Sequence, residues 1–379
     1  ALSCITVFSL LAMLSGLFGM PFLLSLIALT LMHLKTHKKI AVLFSAVEEP
    51  GDELAVVGKV LKRLEQESFE CPWLTRIHQC FFENNRPASA AIEKLCRLLY
   101  LREAGMNQLF APIAAVLFWN IHLAYAMEKW RLHHRESVLA WLDGVGRLEA
   151  LCALATFAYE HPEYSFPALH SDGAFLEGLD LGHPLVPVDR CVRNSIHLDK
   201  KSPLLIVSGS NMSGKSFLLR TIGVNLVLAS AGAPVCARSM TFSPLVLGAT
   251  LQVHDAIQTG VSRFYAEIRR IRQLMDLAKG EIPLLFLLDE IMHGTNSWDR
   301  CIGSKAILQG LLQKGAVGLV TTHDLAITSL VEELAGVGNV HFEDHLEEGR
   351  LVFDYKLRSG VVTKSNALDL MRAIGLISD

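Results

Sequence analysis

Pro203-Leu-Leu-Ile-Val-Ser208 runs directly into Gly209-Ser-Asn-Met-Ser-Gly214-Lys215-Ser216, and that loop into an apolar segment from Phe217 to Ala231. The first piece is a short branched apolar run, the pattern of a strand buried on both faces. The second is G-x-x-x-x-G-K-S, and the third supplies the helix that this loop needs after it. The glycines let backbone N–H groups turn inward around phosphate oxygens, and the helix N-terminus adds partial positive charge. Gly209, Ser210, Asn211, Met212, Ser213, Gly214, Lys215, Ser216 and Phe217 are therefore expected to cradle a nucleotide. Lys215 is expected to reach the β and γ phosphates of ATP, and the Ser216 hydroxyl to hold Mg²⁺.

Downstream, Leu284-Leu-Phe-Leu-Leu-Asp289-Glu290 ends an apolar run in two acids. In a parallel sheet this places both carboxylates at the C-terminal edge of the strands, where open α/β folds bind ligands. Asp289 is expected to serve Mg²⁺, and Glu290 to orient or deprotonate an attacking water. A third run, Val317 to Thr321, leads into Thr322-His323-Asp324, which puts the His323 imidazole within reach of a γ-phosphate or its water. Gly260 and Ser262 precede another helical pattern, and spacing alone does not place them.

Upstream the texture changes. Leu54, Val57, Leu61 and Leu64 recur at helical spacing, as do Trp141, Val145, Leu148, Cys152, Ala155 and Tyr159 in a helix that ends before Pro162. Both stripes read as core. Met106 to Met127 is charge-free but interrupted by polar residues and Pro112, which favours a buried helix over a membrane span. Residues 1 to 32 contain no Asp, Glu, Lys, Arg or His, and Lys35, Lys38 and Lys39 follow. That composition predicts a transmembrane hairpin over residues 1–37, its first helix starting before Ala1, with the remainder cytoplasmic. The expected architecture is this hairpin, an α-helical clamp- or lever-like region over 38–167, and an α/β P-loop NTPase domain over 168–379.

Bulk composition sets limits on function. The 379 residues are 51% hydrophobic and 19% charged, which excludes a disordered or fibrous chain. A net charge of -3 gives no global basic field, so DNA contact would need a local patch, for which Arg97, Arg102, Lys129, Arg131 and Arg135 are candidates. The eight cysteines form no C-x-x-C pair, so neither a disulfide framework nor a zinc site is expected from them.

Taken in order, several segments resemble the ATPase domain of the MutS family of DNA mismatch-repair proteins, a branch of the ABC-type ATPases. They are Gly182-His183-Pro184, Asn194, the loop from Ser210 to Ser216, Gly260-Val-Ser262-Arg-Phe264, Asp289-Glu290 through Gly294-Thr295 to Asp299, Thr322-His323, Asn339-Val340-His341-Phe342 and Lys364-Ser365-Asn366. The resemblance covers about Leu181 to Leu376, and the helix from Ser137 to Tyr159 resembles the lever that feeds this domain. It implies a homodimer with composite sites, in which Ser262 contacts the γ-phosphate bound by the other subunit and Asp299 lies in the loop crossing the interface. Val192, Asn194 and Tyr355 fall in the family's nucleotide site, with Val192 and Tyr355 at the adenine. Cys191 stands in place of the usual aromatic, and Phe217 in place of the usual Thr. Two functions follow as expectations: a DNA-binding or repair ATPase, or a membrane-tethered mechanochemical ATPase acting on a protein partner.

Overall fold

The computed structural model of the chain describes residues 2–15, 20–251, 263–292, 295–347 and 350–362. Two compact units divide the chain, Ala1–Ala153 and Leu154–Asp379.

The first unit is helical. It comprises α1 (Leu2–Leu14), α2 (Met20–Leu64), α3 (Pro72–Gln79), a hairpin of β1 (Phe82–Glu83) and β2 (Arg86–Pro87), α4 (Ala88–Gly105), α5 (Ala111–Val116) and most of α6 (Trp119–Glu160). Its main core joins Leu61, Ile77, Phe81, Ile92, Trp141 and Leu148, with Leu54, Val57 and Leu64 packed around them. The stripe on α2 thus faces the core as its spacing predicts. The stripe on α6 does so only in its first half, since Trp141 and Leu148 are buried whereas Tyr159 is 87% exposed. The charge-free run from Met106 to Met127 is not one core helix. It breaks at Phe118, whose φ of 53° no α-helix accommodates, and Leu109 is 90% exposed.

The N-terminal expectation is corrected. Among the described residues no helix is long and apolar enough to cross a membrane. In α2 the segment from Met20 to Leu34 offers only about 22 Å before Lys35, and the helix continues through Lys38 and Lys39 without interruption. The lysines that follow the charge-free stretch lie inside α2 and do not flank it. Membrane attachment through residues 1–37, and the cytoplasmic-face location built on it, are withdrawn.

The second unit is α/β. A small sheet pairs β3 (Ala168–Leu169), β7 (Ser239–Phe242), β4 (Leu176–Leu181) and β5 (Asn194–Leu198) in that spatial order. The larger sheet holds β6 (Leu204–Ser208), β8 (Val246–Thr250), β9 (Leu284–Leu288), β10 (Val317–Thr322), β11 (Val337–Glu347) and β12 (Arg350–Ser359). Its order is β12-β11-β6-β10-β9-β8, parallel throughout except for the antiparallel edge strand β12. Crossovers run through α7 (Lys215–Ser230), α8 (Arg263–Leu277), α9 (Ser297–Leu312), and the single turns α10 (Leu325–Thr328) and α11 (Leu330–Glu333).

The apolar runs are uninterrupted because both sheet faces are covered. Val207, Leu285, Leu287 and Leu319 pack under Leu218, Ile222 and Leu226 of α7. Their neighbours Leu204, Ile206, Leu284, Phe286, Leu288 and Val320 face Ile271, Leu274, Leu308 and Leu311 of α8 and α9. Alternation along each strand sends successive side chains to opposite layers, and each layer is apolar.

Candidate functional site

The C-terminal ends of β6, β10 and β9 lie side by side, because Ser208 pairs with Thr322 and Leu288 with Val320. The loop Gly209–Gly214 leaves β6 and closes onto α7. Gly209 has φ 149° and Gly214 φ 105°. At Gly214 a Cβ would stand 3.0 Å from the Tyr355 ring, so both the backbone angle and the ring require glycine there. Met212 takes φ 68° and is 85% exposed.

Lys215 is buried, and its Nζ donates to Gly209 O at 2.9 Å and Ser210 O at 2.7 Å. Burial pulls its pKa below the ordinary lysine value, and the Glu290 and Asp289 carboxylates oppose that fall. The ammonium is thus held under the loop and aimed by the loop's own carbonyls. Ser210 Oγ and Ser213 Oγ are buried and have no hydrogen-bond partner. Unmatched buried hydroxyls in this loop suit a ligand rich in acceptor oxygens.

Ser216 Oγ donates to Asp289 Oδ1 at 2.8 Å, and Thr321 Oγ1 donates to the same oxygen at 2.7 Å. Thr321 Oγ1 also accepts from Glu290 N at 3.0 Å, and Thr250 Oγ1 from Asp289 N at 3.3 Å. Hydroxyls on two neighbouring strands therefore fix both acids. Glu290 has φ 50° and Met292 φ 57°, left-handed angles that concentrate at functional turns. His323 Nδ1 stands 3.5 Å from Glu290 Oε1.

A cavity of about 470 Å³ opens over the loop, lined by Asn211, Met212, Gly214, Lys215, Ser216 and Phe217, and also by Glu290, Cys191, Val192, Asn194 and Tyr355. Asn194 Nδ2 donates to Tyr355 O at 3.0 Å, and its Oδ1 accepts from Leu357 N at 2.7 Å. This clamps β12 where its pairing with β11 shifts register between Phe342 and Asp344, and where Tyr355 adopts φ 55°. Phe217 stacks on His183, with centroids 4.9 Å apart. Burial, and after it the Arg220 charge, lowers the His183 pKa.

Asp299 does not line this cavity. It sits in the first turn of α9, where its N–H donates to Asn296 Oδ1 at 2.9 Å and its Oδ2 accepts from Asn296 Nδ2 at 2.7 Å. Ser262 lies outside the described residues. Sequence reasoning missed Thr321, Thr250 and Arg220. The signal for Thr321 was a hydroxyl at the end of a buried strand, as at Ser208, but its partner emerges only once β10 is known to lie beside β9.

Residues 205–378 match the family described as MutS domain V. Over these residues the chain is similar to MutS domain V. Among its relatives is the protein named Endonuclease MutS2 of Thermus thermophilus, 33% identical over 247 residues, which cover 65% of this chain and 32% of that one. The DNA mismatch repair protein MutS of Natronomonas pharaonis is 31% identical over 237 residues, 61% of this chain and 27% of the relative. That of Chlorobium chlorochromatii is 28% identical over 274 residues, 70% of this chain and 30% of the relative. The chain thus spans 27 to 32% of the length of these MutS-family relatives.

Proposed function

We propose that the chain is an Mg²⁺-dependent ATPase of the MutS, ABC-type class, hydrolysing ATP to ADP and phosphate as a homodimer with composite sites. The observation that carries this reading is the Ser216, Thr321 and Asp289 cluster set between the buried Lys215 and Glu290. The loop amides, Ser210, Ser213 and Lys215 would hold the phosphates, while Val192 and Tyr355 would hold the adenine, the tyrosine by stacking. The domain would begin near residue 168, with residues 38–167 acting as its clamp- or lever-like region.

The adjacent Ser216 hydroxyl and Asp289 carboxylate are hard oxygen donors, the set that suits Mg²⁺. When bound there, the ion supplies positive charge against the phosphate oxygens. Glu290 accepts a proton from the attacking water, whose oxygen bonds to the γ-phosphorus as the bond to the bridging β,γ oxygen breaks and ADP leaves. His323 orients the Glu290 carboxylate or hydrogen-bonds the released phosphate. Ser262 and Asp299 would complete the site of the partner subunit.

The role we favour is DNA maintenance related to mismatch repair, supported by the names of the relatives. The alternative of a membrane-tethered ATPase acting on a protein partner loses its tether, since no described helix can span. DNA contact would be modest and salt-sensitive. Of the candidate patch, Arg131 is already paired with Glu128 at 2.7 Å and Arg135 with Glu136 at 3.4 Å. The test is Mg²⁺-dependent phosphate release by the full chain with and without matched, mismatched and branched duplex. Turnover that Lys215→Ala abolishes, and that DNA alters at low salt, is the expected result. No turnover under any condition overturns the ATPase reading, and turnover indifferent to every DNA overturns the DNA role.

A further inference from the structure

Far in sequence from the phosphate loop, the helical unit assembles a second set of donors. The β1–β2 hairpin turns through Asn84 and Asn85, at φ 49° and 62°, with Glu83 paired to Arg86. Two consecutive left-handed residues make the tight turn that matches strand twist, so the Glu83 carboxylate is delivered from a short, fixed element. On α6, His134 lies between the rings of Trp130 and Trp141, at centroid distances of 5.2 and 5.7 Å. Trp130 is itself anchored by donating its Nε1–H to Ala91 O at 2.7 Å. His134 Nδ1 stands 3.1 Å from Glu83 Oε2. The exposed His133 brings its ring edge-on to that of His134, with centroids 4.6 Å apart. One ligand atom from each of Glu83, His133 and His134 lies within 4.8 Å of the other two.

We propose that Glu83, His133 and His134 form a binding site for a divalent transition-metal ion of the zinc type. Two imidazoles and one carboxylate are a donor set for Zn²⁺, Co²⁺ or Ni²⁺, and the nitrogen majority disfavours Mg²⁺ and Ca²⁺. A Glu83–His134 ion pair alone would not need the second imidazole at the same point. Bonds of about 2.0–2.2 Å to one ion draw such donors to about 3.5 Å from each other, a closure that rotation of the exposed His133 ring supplies. Three protein ligands leave a position open toward a cavity of about 690 Å³ that these residues line together with Arg86, Lys94 and Lys129. Those three cations make water or an anion the natural fourth ligand, and they hold the affinity below that of a purely acidic site.

The probe is Co²⁺, titrated without nucleotide into full-length protein stripped with chelator, and followed by its visible absorption. The expected result is one ion per chain with the intense band of a four- or five-coordinate site, displaced by Zn²⁺. Glu83→Gln, His133→Ala and His134→Ala should each weaken binding by about tenfold or more. His133 is exposed, so His133→Ala keeps the fold by circular dichroism and stands as the decisive variant where His134→Ala loosens the helix. Asp289→Asn, at the end of β9 in the nucleotide site, should leave the band in place, so loss of the ATPase reading would not touch this site. Absence of a stoichiometric band in the parent protein, or the same affinity in His133→Ala, overturns the assignment.

Discussion

Ser216 Oγ donates to Asp289 Oδ1 at 2.8 Å, joining the first turn of α7 to the end of β9 across 73 positions of sequence. Each residue is ordinary alone. Together they place a hydroxyl and a carboxylate where a hard cation finds two oxygens already side by side.

Ser216→Ala and Asp289→Asn should therefore raise the Mg²⁺ concentration needed for half-maximal turnover by about tenfold or more. Nucleotide binding without the metal should change little. A magnesium titration of phosphate release checks this, and an unchanged midpoint in both variants would remove the pair from the metal site.

Lys215→Ala should abolish nucleotide binding, whereas Glu290→Gln should bind as the parent does and lose about a hundredfold or more in hydrolysis. The lysine supplies a point charge on the phosphates, and the glutamate supplies the base. Equal loss of affinity in the two variants, measured with a fluorescent nucleotide, would refute the division of roles.

Ser262→Arg should inactivate a homodimer, yet mixing it with Lys215→Ala should restore activity. One mixed dimer collects both lesions in the same composite site and leaves the other intact. Activity no greater than the sum of the separate variants would defeat the in-trans role of Ser262.

Burial, with help from Arg220, holds the His183 imidazole below its ordinary pKa of 6.5. The folded chain then binds fewer protons than the unfolded chain in the window below 6.5. Stability is thus lost as pH falls through that window toward the lowered value, and no further beneath it. His183→Gln should shrink the drop in melting temperature between about pH 7.5 and about pH 5.5. Identical drops in parent and variant would show that His183 contributes nothing to acid sensitivity.

Asn225 is fully buried, donates its amide to Gly182 O at 2.9 Å and Thr221 O at 2.8 Å, and accepts from Cys236 N at 2.8 Å. Asn225→Ala should cost about 2–3 kcal/mol by stranding backbone groups in a dry core. The urea midpoint measures it, and a loss under about 0.5 kcal/mol would mean that the amide is dispensable.

The strands of the larger sheet were legible because both faces of β6, β9 and β10 are buried, which writes unbroken apolar runs into the sequence. The acids after Leu288 were legible for the same reason, since charge is conspicuous at the end of such a run. What sequence spacing does not carry is which strand ends are neighbours. Thr321 looks like one more threonine until β10 is placed between β6 and β9. Asn225 was hidden inside an apolar helix, and the Asn194 clamp on Tyr355 joins residues 161 positions apart. At the N-terminus the fault was of another kind. Composition registers the absence of charge, but crossing a membrane depends on unbroken apolar helical length, and no helix among the described residues supplies it.

The register shift in the β11–β12 ribbon has a consequence for how this protein can vary. Phe342 pairs with Leu357 and Asp344 with Phe353, so one residue of β11 stands against the three from Asp354 to Lys356. Tyr355 is the middle of those three. A single deletion between Phe353 and Leu357 would exchange inward and outward side chains along the rest of the strand. Changing the exposed Lys356 to another residue would disturb nothing of the kind. At an exposed position such as Lys356 the count of residues is the constrained property and the chemistry the adjustable one, so divergence there should proceed by spelling and seldom by length, whereas Tyr355 is held to its ring by the cavity it lines.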